Sequence, residues 1–205
     1  HTFFLGALGE QKYAYKGFYF MIKLLPITMG GTIASTQQED ALTPTLRFSQ
    51  LIKEMQLHTP EHLLNDFTIA PEISPLRGCG LDSSELQNHH IELLAQSIID
   101  NYEAYDAFLI THGTDTMALS AAHLSFLLQG LDKPIIFTGS QKTLSDESHD
   151  IYTNLADALK VIKHRPCGVW IVFAQMLLSG INSTKIDTEA LNHFSSTTHT
   201  QIPIE

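Results

Sequence analysis

Short apolar runs alternate with longer segments of helical periodicity along most of the chain. Runs rich in branched and aromatic residues and bounded by turn residues are typical of buried strands. We predict strands at residues 22–27, 67–70, 107–110, 134–138 and 168–174. Apolar residues that recur with the helical period predict amphipathic helices. We predict helices at residues 48–55, 84–101, 116–129 and 151–162.

This alternation predicts an α/β fold. We expect a doubly wound, mainly parallel sheet with helices on both faces, a three-layer arrangement of the Rossmann-like kind. In open sheets of this kind, ligands bind outside the carboxyl ends of the strands. The chemistry should therefore lie in the loops that follow residues 27, 110, 138 and 174.

Two helix starts carry local sequence signals. Ser84 and Gln87 have the spacing of a capping box, so we place the start of the second helix at Ser84. The letters SHD at residues 148–150 resemble a hydrolase triad, but triad residues are rarely adjacent in sequence. We interpret His149 and Asp150 as the start of the fourth helix instead.

The composition fits a globular domain and disfavours several classes of function. The 205 residues carry a formal net charge of −10, and 43% of them are hydrophobic. Binding to nucleic acid or to an anionic membrane requires a basic patch, and no basic cluster stands out. No apolar run is long enough to span a bilayer. We therefore expect neither a nucleic-acid partner nor a membrane partner.

The cysteines and histidines give no sign of a metal site. Cys79 and Cys167 lie far apart and lack partners at metal-ligand spacing, so we interpret both as ordinary thiols. The 11 histidines show no H-E-x-x-H pattern or similar ligand spacing. We expect no metal ion and no cofactor.

The two ends of the chain lack the pattern of the middle. Residues 1–20 have no basic segment followed by a clean apolar core, so they make a poor signal peptide. We expect a domain over residues 21–195, with residues 1–20 as an extension or, alternatively, a genuine hairpin. The polar segment 193–205 is interpreted as linker rather than packed structure, with residues 196–205 beginning a connection to a second domain.

Small polar residues crowd the loops at the predicted carboxyl edge. The first loop holds Gly30-Gly31-Thr32 without the glycine spacing of phosphate-binding loops, which argues against a nucleotide site and leaves a plain turn as the alternative. The loop that follows residue 110 holds Thr111, Thr114, Asp115 and Thr116. One of these residues would suffice to cap a helix, so the loop is more polar than capping requires.

Three further polar residues lie near strand or helix ends. Asp82 and Ser83 precede a predicted helix, where they either cap it or meet a ligand that carries both a carboxylate and an ammonium group. Lys185 lies among hydroxyl residues. A lone lysine is usually a solvated charge, but beside a buried hydroxyl it can activate a nucleophile.

Five motifs resemble those of the bacterial L-asparaginases, which are threonine-dependent amidohydrolases. They are GGTIAS at 30–35, LDSS at 81–84, THGTDTM at 111–117, TGSQ at 138–141 and STK at 183–185. The motifs follow the family's order, and LDSS and TGSQ look most like the cytoplasmic, type I enzymes. The resemblance implies the N-terminal domain of an enzyme that hydrolyses L-asparagine to L-aspartate and ammonia.

The resemblance also implies a catalytic role for four residues. Thr32 corresponds to the nucleophile, which the family carries on a mobile loop. Thr114, Asp115 and Lys185 correspond to a Thr-Lys-Asp triad, and Asp115 also holds the α-ammonium group of the substrate.

The implied substrate contacts involve the same loops. Asp82 and Ser83 match residues that bind the α-carboxylate and the amino end of the substrate. Backbone groups around Thr114 and Ser140 would polarise and orient the side-chain amide. Amide hydrolysis requires an activated oxygen nucleophile and a stabilised oxyanion, so these residue types suit the reaction.

The chain departs from the family pattern at several positions. Met29 stands where the family usually has Thr, and Pro26 lies inside a predicted central strand. The segment 41–44 lacks the tyrosine that many members carry there, and residues 149–151 lack the usual glycine. The family's smaller C-terminal domain, whose copy in a neighbouring subunit completes the site, does not match any segment.

From the family we expect a homodimer or homotetramer in the full-length form, and weak or no activity for this chain alone. Two other enzymatic functions stay open, an L-glutaminase and the amidase part of a tRNA-dependent amidotransferase. A non-catalytic amino-acid-binding or assembly module is the alternative of another class. A dinucleotide-binding protein is disfavoured because the glycine spacing is wrong.

Overall fold

The computed structural model describes residues 21–38, 41–59, 61–76, 78, 80–186, 194–196 and 202–204. The strands within these residues are β1 (Ile22–Thr28), β2 (Ser35–Gln38), β3 (Ala41–Pro44), β4 (Phe67–Ile69), β5 (Ala107–Thr111), β6 (Pro134–Thr138), β7 (Gly168–Phe173), β8 (Met176–Ser179), β9 (Ser183–Lys185), β10 (Phe194–Ser196) and β11 (Ile202–Pro203). The helices are α1 (Phe48–Gln56), α2 (Asn88–Asn101), α3 (Met117–Leu127) and α4 (Ile151–Lys163).

Seven of these strands form one sheet in the order β11-β8-β7-β6-β5-β1-β4. The five strands from β4 to β7 are parallel, and β8 and β11 add an antiparallel edge. Apolar residues of α1 and α4 pack on one face of the sheet, and those of α2 and α3 pack on the other. The α/β fold with a doubly wound, mainly parallel sheet is confirmed.

Three adjacent loops leave the carboxyl edge of the sheet toward different faces. The chain leaves β1 and β6 toward the face that carries α1 and α4, whereas it leaves β5 toward the face that carries α3. Neighbouring loops that depart to opposite faces leave a gap between them, which is where open α/β sheets bind ligands. The topology therefore marks the ends of β1, β5 and β6 as the place to look for a ligand site.

The three strands also end at the same level. Thr28 pairs with Thr111, and Thr111 pairs with Thr138, so the last residues of β1, β5 and β6 lie side by side. All three threonines are buried, and the Thr111 hydroxyl donates to the Thr28 hydroxyl over 3.2 Å. The loops after β1, β5 and β6 consequently begin side by side, at three paired threonines.

The unusual Pro26 fits because β4 is short. On the side of β1 that faces β4, the Pro26 carbonyl accepts from the backbone N–H of Ile73, beyond the end of β4 at Ile69. The N–H and C=O of a strand residue point to the same side, so the donor that proline lacks falls outside the β1–β4 ladder.

One predicted helix start is wrong. The second helix begins at Asn88, and Ser84 belongs to a separate 3₁₀ turn over Ser83–Glu85. The Asp82 carboxylate accepts from both the backbone N–H and the hydroxyl of Ser84, which occupies the groups that a capping box would use. The helix is capped instead by His90, whose Nδ1 accepts from the Gln87 N–H at 3.1 Å.

The prediction that residues 193–205 form an unpacked linker is wrong for the part that the structure describes. Phe194 is buried and packs edge-on against Phe173, with ring centroids 5.2 Å apart. β10 pairs with β9, and β11 pairs with β8. One aromatic side chain among polar neighbours is enough to anchor the segment. Residues 1–20 and Cys79 lie outside the described residues, and the domain boundaries stay predictions.

Within the described residues, no helix combines the length and apolarity needed to cross a membrane. Cys167 is an exposed free thiol.

Replacing Phe194 with alanine tests whether this segment is packed. Loss of a buried phenylalanine should lower the free energy of unfolding by about 3–5 kcal/mol. Phe126, which is 59% exposed on α3, supplies the control, and Phe126→Ala should change it by less than about 0.5 kcal/mol. Urea unfolding of both variants measures the difference, and equal small effects would contradict the packing.

Candidate active site

The loops after β1 and β5 touch through their backbones. An ideal Cβ added to Gly31 would lie 2.2 Å from the Gly113 Cα, far inside the contact distance of any side chain. Gly31 also has a positive φ of 80°, which side chains rarely adopt. Glycine at this position therefore lets Thr32 and Thr114 each lie one residue beyond a shared contact point.

A third loop joins this crossing. The Gly31 N–H donates to the Leu81 carbonyl, and the Leu81 N–H donates to the Met29 carbonyl, both at 3.0 Å. The Met29 N–H in turn donates to the Thr111 carbonyl at 2.9 Å. These bonds tie the loops after β1 and β5 to the segment that carries Asp82.

Thr114, Asp115 and Lys185 form one hydrogen-bonded cluster. Lys185 Nζ donates to Thr114 Oγ1 at 3.0 Å and to Asp115 Oδ1 at 2.6 Å. The Lys185 side chain is 11% exposed, whereas the Asp115 side chain is 61% exposed. The Lys185 ammonium group is thus held inside the cluster, and the Asp115 carboxylate faces solvent, where it can meet a ligand.

Lys185 reaches this cluster from a distant part of the chain. It lies at the end of β9 and pairs with Phe194 of β10, the residue that packs against Phe173 at the end of β7. The packed aromatic pair therefore holds the strand from which the Lys185 side chain extends.

Asp82 and Ser83 lie against the same loops but differ in exposure. Ser83 is buried, and a Cβ added to Gly113 would lie 2.5 Å from the Ser83 Oγ. The Thr116 hydroxyl donates to the Ser83 carbonyl at 2.9 Å, which fixes this segment to the loop after β5. Asp82 is exposed and caps the 3₁₀ turn, so the capping role considered from sequence is present.

The loop after β6 contributes a residue that sequence reasoning missed. Ser140 is buried, and its hydroxyl donates to the Lys142 carbonyl at 2.8 Å, within its own loop. The neighbouring Gln141 reaches the cluster, because Thr114 Oγ1 donates to Gln141 Oε1 at 3.4 Å. The sequence signal for Gln141 is its position in the TGSQ motif, immediately after Ser140.

Thr32 lies apart from this hydrogen-bonded cluster. It begins a 3₁₀ turn over Thr32–Ala34 and is partly exposed. Among the hydrogen bonds of the described residues, none joins its hydroxyl to Thr114, Asp115 or Lys185. The turn continues into the β2–β3 hairpin, the segment that lacks a tyrosine at residues 41–44.

His112 lies in the core beneath the loop after β5 and contacts both that loop and β6. The side chain is fully buried, its Nδ1 lies 2.7 Å from the Gly113 carbonyl, and its ring lies 5.6 Å from that of Phe137. The carbonyl can only accept, so Nδ1 carries the proton. Burial lowers the pKa of His112 from 6.5 to about 4, and the ring is neutral at pH 7.

In the described parts of the chain, no group of three or more His, Cys, Asp and Glu side chains could hold a metal ion. The site residues that the structure brings together are hydroxyl, ammonium, carboxylate and amide groups. Such groups can hold a zwitterionic molecule and transfer protons at its reacting atoms.

Comparison with known proteins identifies the family of the chain. The family model described as "Asparaginase, N-terminal" matches residues 23–204. The chain belongs to this family. It is 38% identical to L-asparaginase 1 of Escherichia coli K12 over 170 residues, which is 82% of this chain and 48% of that protein. The resemblance drawn from the motifs is confirmed.

Solved structures of the family share the fold. The thermostable L-asparaginase from Thermococcus kodakarensis matches with a TM-score of 0.77 and 26% identity, over 90% of this chain and 54% of that one. L-asparaginase I from Vibrio cholerae matches with a TM-score of 0.75 and 33% identity, over 90% and 54%. The chain therefore spans about half the length of these family members.

Substitution of Gly31 by alanine tests the backbone crossing. Gly130 has nearly the same φ, +84° against +80°, but open space where a Cβ would lie. Gly130→Ala should therefore lower the free energy of unfolding only by the cost of that φ, about 1–2 kcal/mol. Gly31→Ala should lower it by about 1–3 kcal/mol more, because backbone must move and because the ψ of −179° at Gly31 adds strain for any side chain. Equal losses in urea unfolding would rule out a tight crossing.

The buried His112 predicts a pH dependence of stability. Its pKa is depressed in the folded state, so its contribution is complete above pH 6.5 and is lost as the pH falls toward about 4. The total loss amounts to about 3 kcal/mol. In an NMR titration the chemical shift of the His112 Cε1–H proton should stay constant until the pH nears 4. A change in this chemical shift centred near pH 6.5 would contradict the prediction.

Proposed function

We propose that the protein hydrolyses the side-chain amide of L-asparagine to give L-aspartate and ammonia. The observation that carries this proposal is the contact of Lys185 Nζ with Thr114 Oγ1 at 3.0 Å, beside the loop that presents Thr32. Amide hydrolysis requires a nucleophile, a base and a polar surrounding for the oxyanion. Membership of the asparaginase family supports the same reaction.

Thr32 acts as the nucleophile in this proposal. Its Oγ1 attacks the amide carbon, and its proton passes by way of the Thr114 hydroxyl to Lys185, which returns a proton to the departing nitrogen. The tetrahedral intermediate collapses with cleavage of the C–N bond, and the nitrogen takes up a proton and departs as ammonia. Water then opens the threonine ester by the same route, releasing L-aspartate and restoring the hydroxyl.

The Thr114–Lys185–Asp115 cluster moves the proton. Lys185 must be neutral to accept a proton, and in the free site it donates to the Asp115 carboxylate. The α-ammonium group of asparagine binds Asp115 and brings a second positive charge next to Lys185. The substrate thereby competes with Lys185 for the Asp115 carboxylate, while Lys185 keeps its contact with the Thr114 hydroxyl.

The other site residues bind and orient the substrate. Ser83 and Asp82 hold the α-carboxylate and the amino end, on the segment that the Thr116 hydroxyl fixes. Backbone groups around Thr114 and Ser140 orient the side-chain amide. The enzyme uses no cofactor and binds neither nucleic acid nor membrane.

The natural enzyme is proposed to act in the cytoplasm as a homodimer or homotetramer, in line with the type I pattern of the LDSS and TGSQ motifs. Because this chain spans about half of its relatives' length, residues outside it are expected to complete the site. The isolated chain should then have weak or no activity.

Ammonia release from L-asparagine and L-glutamine tests the proposal, with this chain alone and with the chain fused to the C-terminal domain of a family member. Thr32→Ala, Thr114→Ala and Lys185→Met should each lower kcat for L-asparagine at least about 100-fold, because each removes a proton-transfer or nucleophilic group. Thr68→Ala, at an exposed position of β4, should leave kcat unchanged.

Three results would contradict the proposal in distinct ways. Full activity of Lys185→Met would show that Lys185 is not the base. A preference for L-glutamine would indicate a glutaminase. Binding of L-aspartate by the fused form without ammonia release would indicate the amino-acid-binding module.

A further inference from the structure

Asn154 connects the ends of two strands next to the candidate site. Its Nδ2 donates to the Gly139 carbonyl at 2.9 Å, just past the end of β6. Its Oδ1 accepts from the Ala174 N–H at 3.0 Å, just past the end of β7. The side chain is 1% exposed. An asparagine amide serves as donor and acceptor at once, a combination that a carboxylate lacks.

Asp150 lies one helical turn earlier and holds the loop after β6. Its carboxylate accepts from the Gln141 N–H at 3.0 and 3.1 Å and from the Lys142 N–H at 3.1 Å. Asn154 Nδ2 also donates to Asp150 Oδ2 at 3.0 Å and thereby orients the carboxylate. Hydrogen bonds to an ionised acceptor are about twice as strong as neutral ones, so this pair dominates the geometry of the loop.

The loop that the pair holds carries Gln141 to Thr114. Gln141 Oε1 accepts from Thr114 Oγ1 at 3.4 Å, while Lys185 Nζ donates to the same oxygen at 3.0 Å. The two contacts set the position of the Thr114 hydroxyl and the direction of its proton. Neither Asp150 nor Asn154 has a hydrogen bond to Asp82 or Asp115 among the described contacts, so their influence runs through Gln141.

We propose that Asp150 and Asn154 are positioning residues that hold Gln141 against Thr114 and so align Thr114 with Lys185. This inference rests on the proposed amide hydrolysis for its effect on rate. Its structural part, the alignment of Thr114 by Asp150 and Asn154, can be tested without activity. Loss of either residue should affect kcat and leave the binding of the substrate's charged ends in place.

The test uses the isosteric variants Asp150→Asn and Asn154→Asp in the active, fused form of the protein. Amide exchange of Gln141 and Lys142 should accelerate at least about tenfold in Asp150→Asn, because a charged acceptor is lost. The Thr114 methyl resonance should shift in both variants. In both, kcat should fall about 10- to 100-fold, the effect of misplacing a reacting group by about 1 Å. KM should change by less than about threefold, a bound that follows when only the transition state is affected.

Asp157→Asn is the matched control. Asp157 is a buried carboxylate of α4 that accepts from Lys160 Nζ at 2.9 Å, so the same isosteric change is made on the same helix, away from the Gln141 loop. This variant should lose stability while keeping the wild-type kcat and Thr114 methyl resonance.

The outcomes separate this inference from the proposed function. An active wild type whose Asp150 and Asn154 variants match Asp157→Asn in kcat and in the Thr114 resonance would overturn the inference. Equal changes in kcat and KM would also overturn it, because they would indicate general loss of structure. A wild type that releases no ammonia would refute the proposed function, and the Thr114 resonance would then decide the positioning role alone.

Discussion

The site depends on the backbone contact between Gly31 and Gly113. The loops after β1 and β5 can cross only because neither residue has a side chain at the point of contact, and Leu81 locks the crossing with two backbone hydrogen bonds. The contact lies next to the row of threonines that ends the central strands. A rigid parallel sheet thus delivers Thr32 and Thr114 from opposite sides of one backbone junction.

Two basic side chains lie near this junction, one paired with a carboxylate and the other neutral because it is buried. The ammonium group of Lys185 is largely shielded from solvent, and it is held by a hydroxyl and by a carboxylate that itself reaches solvent. The neighbouring His112 is fully buried and neutral, because burial lowers its pKa to about 4 and so keeps a second positive charge out of the core. The ammonium of Lys185 is therefore the charge that a ligand at Asp115 would meet.

Much of this arrangement could be predicted from the sequence, because apolar runs identify buried strands and the carboxyl ends of parallel strands collect the ligand-binding loops. The position of the Thr114 loop follows from that rule. The packing of Phe194 and the reach of Gln141 could not be predicted, because each depends on contacts across the fold. The cap made by His90 is local, but Ser84 offers the better-known capping signal, and only the structure shows that Asp82 occupies Ser84. The placement of α3 and α4 on opposite faces could not be predicted either. Helix α3 connects β5 to β6 and α4 connects β6 to β7, and both connections move in the same direction along the sheet. Because the two helices lie on opposite faces, one of these crossovers must be left-handed, against the usual right-handed rule.

The most direct test of the account is to trap the covalent intermediate. The active, fused form is mixed with L-asparagine, quenched in acid within a turnover, digested and mapped by mass spectrometry. The account predicts an aspartyl ester on the peptide that contains Thr32, and no adduct in Thr32→Ala. An adduct on Thr114, or steady ammonia release with no adduct on any threonine, would contradict the claim that the loop after β1 carries the nucleophile to a cluster built on β5.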